Sequence, residues 1–181
     1  MNPHFAFSGK IGSGKTDVLK LFASRTGARW NSFGNTVKRI AAERHLLPNR
    51  EVLQKLGAEL VSSCPDEFCR RVINEATPEC GPFLVIDGVR HTSIFEQLKT
   101  ILHPTPVISV FVEVNEPVRL ERIQRRGMHG LLELAVLESH STEIQVMTSL
   151  RNSANLCVDN SLTLEDAVTS IQEWLNSKLK A

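Results

Sequence analysis

The chain has 181 residues, with 21 Lys and Arg against 20 Asp and Glu and a formal net charge of +1 at pH 7. That length suits one compact domain with its own core, and the near-neutral balance excludes the broad basic surface of a general nucleic-acid binder, leaving room only for a local patch. No apolar run is long enough to span a bilayer and the N-terminus lacks the basic-then-apolar pattern of a secretory signal, so the expectation is a cytosolic protein with no membrane partner.

Phe5-Ala6-Phe7 is a short apolar run that predicts a buried strand. Directly after it, Gly9-Lys10-Ile11-Gly12-Ser13-Gly14-Lys15-Thr16 follows the P-loop pattern of Gly, four residues, Gly, Lys, and Ser or Thr. Its glycines let the backbone turn tightly and approach a polyphosphate, with successive N–H groups pointing inward. In that pattern Lys15 reaches the β- and γ-phosphates and the Thr16 hydroxyl ligates Mg²⁺. Val18, Leu19, Leu21 and Phe22 then recur at helical spacing, so the loop ends on a helix N-terminus that favours anions. The expected nucleotide-binding set is Gly9, Ile11, Gly12, Ser13, Gly14, Lys15, Thr16 and Asp17.

Gly27 is placed to cap that helix, and Ala28-Arg29-Trp30 begins a second strand. Ser32-Phe33-Gly34-Asn35 leads into a helical stretch carrying Lys38 and Arg39. These cations suit an acceptor phosphate, and they equally suit a solvated helix face. Pro48-Asn49 opens another helix, with Leu53, Leu56 and Leu60 on its apolar face and Arg50 and Gln54 one turn apart on another. That pair fits either a ligand or plain solvent exposure. Pro65-Asp66 starts one more helix, which ends before Thr77-Pro78.

Phe83-Leu84-Val85-Ile86-Asp87 reads as a buried parallel strand that delivers a carboxylate to the C-terminal edge of a sheet, where α/β folds bind ligands. There Asp87 can hold the Mg²⁺ shell or accept a proton from the attacking group. Arg90 is placed to clamp a phosphate, and His91 reads as a loop residue. Val107 to Val114 predicts a further strand, and Asn115-Glu116-Pro117 opens a helix carrying Arg119, Arg122, Arg125 and Arg126. Cations at its end, Arg122 and Arg126 among them, can offset charge developing on a transferred phosphoryl group, although charge–dipole placement on a solvated helix explains part of the cluster. Gly127-Met128-His129-Gly130 reads as a hinge into an apolar segment. His140 and Glu143 fit either a site or a helix cap, and neither is assigned a chemical step. Asn155 to Asn160 predicts a last short strand, before a closing helix from Thr163. Cys64, Cys69, Cys80 and Cys157 lack paired metal-ligand spacing and read as reduced packing thiols.

With these residues in hand, the chain resembles the P-loop nucleoside and nucleotide kinases, and most closely the deoxynucleoside monophosphate kinase group. Gly9 to Thr16 matches the P-loop. Arg50 with Leu53-Gln54-Lys55-Leu56-Gly57-Ala58-Glu59 is similar to that group's Arg, Leu-Gln-x-Leu-Gly-Thr-Glu helix. Val89-Arg90 is similar to its Asp-Val-Arg motif, and His140-x-x-Glu143 with Val158-Asp159-Asn160 to its later segments. The resemblance implies an α/β P-loop NTPase fold, with a parallel five-stranded sheet, helices on both faces, acceptor-binding helices about residues 34–76 and a lid about residues 126–142. It implies ATP and Mg²⁺ as co-substrates and a small-molecule nucleotide acceptor, with Lys38, Arg39, Arg50, Gln54 and Arg90 facing the acceptor and Asn160 near the adenine side. Lys15, Asp87, Arg90, Arg122 and Arg126 are the expected catalytic residues, with Thr16 and Asp87 toward the metal. A homodimer stays open.

Four positions depart from the family pattern. Gly88 stands in place of its aspartate, Ile94 of a glutamate, Ala58 of a threonine and Ser62 of an arginine. All fall on the acceptor side, which keeps two alternatives in play: a dephospho-coenzyme A kinase-like acceptor, and a nucleotide-binding regulatory module that transfers no phosphate to a small molecule.

Overall fold

The computed structural model describes residues 2–125 and 146–179. Its centre is a five-stranded sheet built from β1 (His4–Ser8), β2 (Arg29–Ser32), β3 (Leu84–Asp87), β4 (Val107–Glu113) and β5 (Leu156–Asp159). The strands lie in the order β2-β3-β1-β4-β5 and every pairing is parallel. β1 is therefore central, with β3 on one side and β4 on the other, and the loop that follows it opens where the chain switches direction across the sheet.

Side-chain alternation explains why helices cover both faces. On β1, Phe5 and Phe7 point one way and Ala6 the other; on β3, Val85 opposes Leu84 and Ile86. The first face is covered by α1 (Lys15–Thr26) and α7 (Leu164–Leu179), through Val18, Leu19, Phe22, Val168 and Ile171. Phe5 meets Phe22 edge to face at 5.2 Å between ring centres. The second face is covered by α2 (Phe33–Glu43), α3 (Arg50–Ser63), α4 (Pro65–Asn74) and α5 (Thr92–Leu102). The remaining helix, α6 (Glu116–Arg125), follows β4. Each wholly buried Phe, Leu, Ile or Val contributes about 1.5–3 kcal/mol by leaving water, so the two filled faces hold the sheet between its layers of helices.

Local signals set the ends of these elements as their sequence implies. Ser32 accepts from the Asn35 amide at 3.0 Å to start α2, Asn49 accepts from the Val52 amide at 2.9 Å to start α3, and Pro65 opens α4. Gly27 closes α1 at φ 68°, a left-handed conformation that favours glycine. Val146–Leu150 forms a π-helical turn before β5.

The expectation for the cysteines holds only in part. Cys69 is fully buried and Cys64 partly, but Cys80 and Cys157 are exposed and do not pack. Cys80 lies in the turn-rich stretch before β3, and Cys157 alternates with buried Val158 on the edge strand β5, so its side chain faces outward. All four are free thiols. Arg126, His140, Glu143, the Gly127–Gly130 hinge and the expected lid about 126–142 lie outside the described residues. Among the described residues, no helix is long and apolar enough to cross a membrane.

Candidate nucleotide-binding site

The loop between β1 and α1 takes the backbone shape its glycines allow. Gly12 and Gly14 sit at φ 85° and 77°, where a side chain would be strained. Space is closed as well. A Cβ on Gly12 would lie 2.8 Å from the Ile123 side chain, and one on Gly14 would lie 2.5 Å from the Asn160 amide nitrogen. Lys15 and Thr16 follow as the first residues of α1, whose opening N–H groups have no partner within the helix.

Period-two alternation carries Asp87 onto the same face of β3 as Phe83 and Val85, the face that α1 covers. Its Oδ2 accepts a hydrogen bond of 2.6 Å from the Thr16 hydroxyl. Asp87 is buried, and its second oxygen, Oδ1, has no hydrogen-bond partner among the described residues. A buried carboxylate oxygen left without a donor beside a P-loop hydroxyl is the chemistry of a hard-cation site, and Mg²⁺ characteristically takes one or two carboxylates and completes its shell with water and phosphate oxygens. Thr16 and Asp87 therefore fit Mg²⁺. No cluster of three or more His, Cys, Asp or Glu occurs among the described residues.

Arg90 comes to the same edge after a left-handed turn at Gly88, φ 82°, where the amides of Gly88 and Val89 both donate to the Phe7 carbonyl at 3.1 Å. Burial pushes the Arg90 guanidinium below its ordinary pKa; the Asp87 carboxylate opposes that shift and the positive charge of Arg50 adds to it. Arg50 on α3 is thus near enough to Arg90 for their charges to interact. Gln54, one turn after Arg50, is exposed. Lys38 and Arg39 are exposed on α2, where Arg39 donates to Glu75 at 2.9 Å and so ties α2 to the end of α4.

On the opposite flank of the loop, a cleft of about 340 Å³ is lined by Gly14, Asp17, Arg122, Arg125, Asn160 and Leu164. Asn160 is buried and donates to the Ser13 carbonyl at 2.8 Å, while Arg122 donates to the same carbonyl at 3.3 Å and to that of Asn160 at 2.9 Å. Both residues brace the P-loop as well as lining the cleft. Arg119 belongs to this bracing too: it is 1% exposed and donates to the Ile11 carbonyl at 3.1 Å. The sequence carried a signal for it, since Arg119 lies four residues before the inward-facing Ile123 on one helical stripe.

A family model described as an AAA domain matches residues 6–160. The chain belongs to the AAA domain family. A UPF0200 protein of Aeropyrum pernix is 29% identical over 164 residues, covering 89% of this chain and 86% of that one. Among solved structures, a gluconokinase from Sinorhizobium meliloti 1021 superposes with a TM-score of 0.61 at 16% identity, over 97% of this chain and 93% of its own. A shikimate kinase from Aquifex aeolicus vf5 gives 0.61 at 14% identity, over 98% and 99%. At such identities the likeness is one of fold, and this AAA domain has the fold of the small P-loop kinases.

Proposed function

We propose that the protein transfers the γ-phosphoryl group of ATP, with Mg²⁺, to a small anionic acceptor, and that the acceptor is a nucleoside or deoxynucleoside monophosphate. The observation that carries the reading is the Thr16–Asp87 hydrogen bond, with the orphaned Asp87 Oδ1 beside it and Arg90 at the same sheet edge. The monophosphate is supported by the Arg50 and Gln54 helix and by the pairing of two guanidinium charges, which suits a doubly charged phosphate.

In the reaction an acceptor oxygen forms a bond to the γ-phosphorus in line with the breaking bond to the β–γ bridging oxygen, and ADP leaves. P-loop amides and the Lys15 ammonium hold the donor's phosphates, and the cleft by Asn160 takes its nucleoside. Thr16 and Asp87 would hold Mg²⁺, which when bound neutralises charge on the β- and γ-phosphates. Arg90 and Arg50 orient the acceptor, and most of the catalysis is positioning and electrostatics. With a monophosphate acceptor the attacking oxygen is already anionic near neutral pH, so Asp87 has no proton to remove. With a hydroxyl acceptor, Asp87 Oδ1 is the available base.

That second case, a hydroxylated carboxylic acid of the kind named for the structural neighbours, is favoured by one observation. Ile94, which stands where the monophosphate kinase group has a glutamate, is buried in the apolar core, and Gly88 faces open space. The acceptor side therefore lacks polar groups that the monophosphate reading expects. The deciding experiment is a product-resolved mass-spectrometric assay with Mg²⁺-ATP across ribo- and deoxyribonucleoside monophosphates, dephospho-coenzyme A, shikimate and gluconate, with Lys15→Ala as control. Transfer to one monophosphate, lost in the control, is the expected result. ATP binding without transfer to any acceptor would instead favour a regulatory module.

A further inference from the structure

Resting on the nucleotide-binding reading above, we propose that Arg119 is a positioning residue: from beneath the P-loop it fixes the Ile11 peptide so that the loop's N–H groups stay aimed at the polyphosphate. A P-loop binds phosphate by turning successive amide N–H groups to one side, which sends their carbonyls to the other. Those outward carbonyls need donors of their own once buried. Here the Ser13 carbonyl receives Arg122 and Asn160, and the Ile11 carbonyl receives Arg119 at 3.1 Å.

The surroundings of Arg119 mark this as a built support. Its guanidinium is bidentate to Glu116, at 2.9 Å from Nε and 2.6 Å from Nη2, leaving Nη1 directed at Ile11. Glu116 in turn is held below the ordinary carboxylate range, first by its hydrogen bond to Arg119 against some burial, then by the charges of Arg119 and Lys10. Since Glu116 neutralises the guanidinium, the contribution to anion binding is chiefly geometric. α6 also packs closely against the loop: a Cβ at Gly12 would come within 3.1 Å of Arg119 Cγ and 2.8 Å of Ile123 Cγ1. The Ile11–Gly12 backbone is thus trapped between its own turn, closed by the Ser13 amide donating to the Lys10 carbonyl at 3.1 Å, and the inner stripe of α6. Arg119 does not line the cleft that Arg122 and Arg125 line, so it acts through the peptide it holds.

The test is calorimetric titration of the full chain with Mg²⁺-ATP and, separately, with inorganic tripolyphosphate, which lacks a nucleoside. Arg119→Met retains the apolar stem and removes the donor; it is expected to raise both dissociation constants by about tenfold, the scale of one hydrogen bond from a charged group. The KM of the acceptor should stay unchanged. Arg119→Lys preserves the charge and the Glu116 pair but loses the fork, so it should weaken binding by a smaller factor, and it keeps the question answerable if Arg119→Met does not fold. Binding by either folded variant within about twofold of wild type, alongside a lowered melting temperature, would assign Arg119 to packing alone and overturn the proposal. Failure of the wild-type chain to bind either polyphosphate would sink the nucleotide-binding reading itself, whereas binding that ignores the substitution sinks only the role of Arg119.

Discussion

On the proposed function, Asp87→Asn should separate turnover from stability. In the folded chain the carboxylate is buried, accepts one hydrogen bond from Thr16, and leaves Oδ1 without a partner among the described residues. A short charge-assisted bond of this kind is worth about 1.5–3 kcal/mol. Against it stands the cost of keeping a carboxylate out of water, which is of similar or larger size and only partly offset by the Arg90 charge. Asparagine keeps an acceptor for Thr16, removes the charge, and exchanges an unpartnered acceptor for an unpartnered donor. The terms nearly cancel, so unfolding free energy should stay within about 1 kcal/mol of wild type, or within about 4 °C in Tm for a chain of this size. Turnover should not cancel. On the proposed function Asp87 would hold Mg²⁺, and losing that anionic ligand should remove a few kcal/mol of transition-state stabilisation, about a hundredfold or more in kcat at 1.36 kcal/mol per decade. Thermal unfolding without nucleotide, beside a coupled assay with Mg²⁺-ATP and the acceptor that the panel identifies, measures both. A variant that melts more than 10 °C lower yet turns over at the wild-type rate would refute the assignment, because Asp87 would then be a structural strand-end residue.

Three further outcomes follow from the geometry. Gly14→Ala must place a methyl group at positive φ and displace the Asn160 amide from Ser13, so it should cost about 2 kcal/mol in stability and weaken ATP binding; an unchanged Tm and Kd would contradict the loop conformation. His4 accepts from the Leu84 amide at 3.0 Å through Nδ1, and burial, helped by Arg29, lowers its pKa from 6.5. The folded state therefore favours neutral His4: its stabilising contribution is present above pH 6.5 and is lost as pH falls from there through the lower folded pKa. The wild-type advantage in Tm over His4→Phe should shrink between pH 7.5 and 5, and a constant difference would show that His4 does not titrate with folding. Finally, burial pushes the Cys69 thiol up to about 12. Iodoacetamide at pH 8 should label exposed Cys80 and Cys157 well before Cys69, as peptide mass mapping reads; early labelling of Cys69 would mean that the α4 face opens.

Much of the geometry around the P-loop was legible because its signals are local. The P-loop spacing, the helix after it and the apolar run ending in Asp87 each lie within one short stretch, and β-sheet alternation then delivers Asp87 to Thr16. The bracing of the loop was not legible in the same way. Arg119, Arg122 and Asn160 act on the carbonyls of residues more than a hundred positions earlier, and a helix with arginines at several spacings looks solvated until its partner surface is known. Arg39 shows the converse: a cation suited to an acceptor phosphate by position is joined to Glu75 through tertiary packing. The exposure of Cys157 could be read only once β5 was known to be an edge strand with Val158 turned inward.

The strand order β2-β3-β1-β4-β5 has a further consequence. Arg122, Arg125 and Asn160, which line the cleft on one flank of the loop, come from α6 and the end of β5, whereas Asp87, Arg90 and Arg50 come from β3, the turn after it and α3. The central strand thus separates two groups of side chains, joined at the P-loop by the Thr16–Asp87 hydrogen bond. Change on one side need not disturb the other, and all four departures from the monophosphate kinase pattern, at Ala58, Ser62, Gly88 and Ile94, lie between α3 and α5 on a single side. On the proposed function, a lineage built this way can exchange its acceptor while leaving the ATP side untouched.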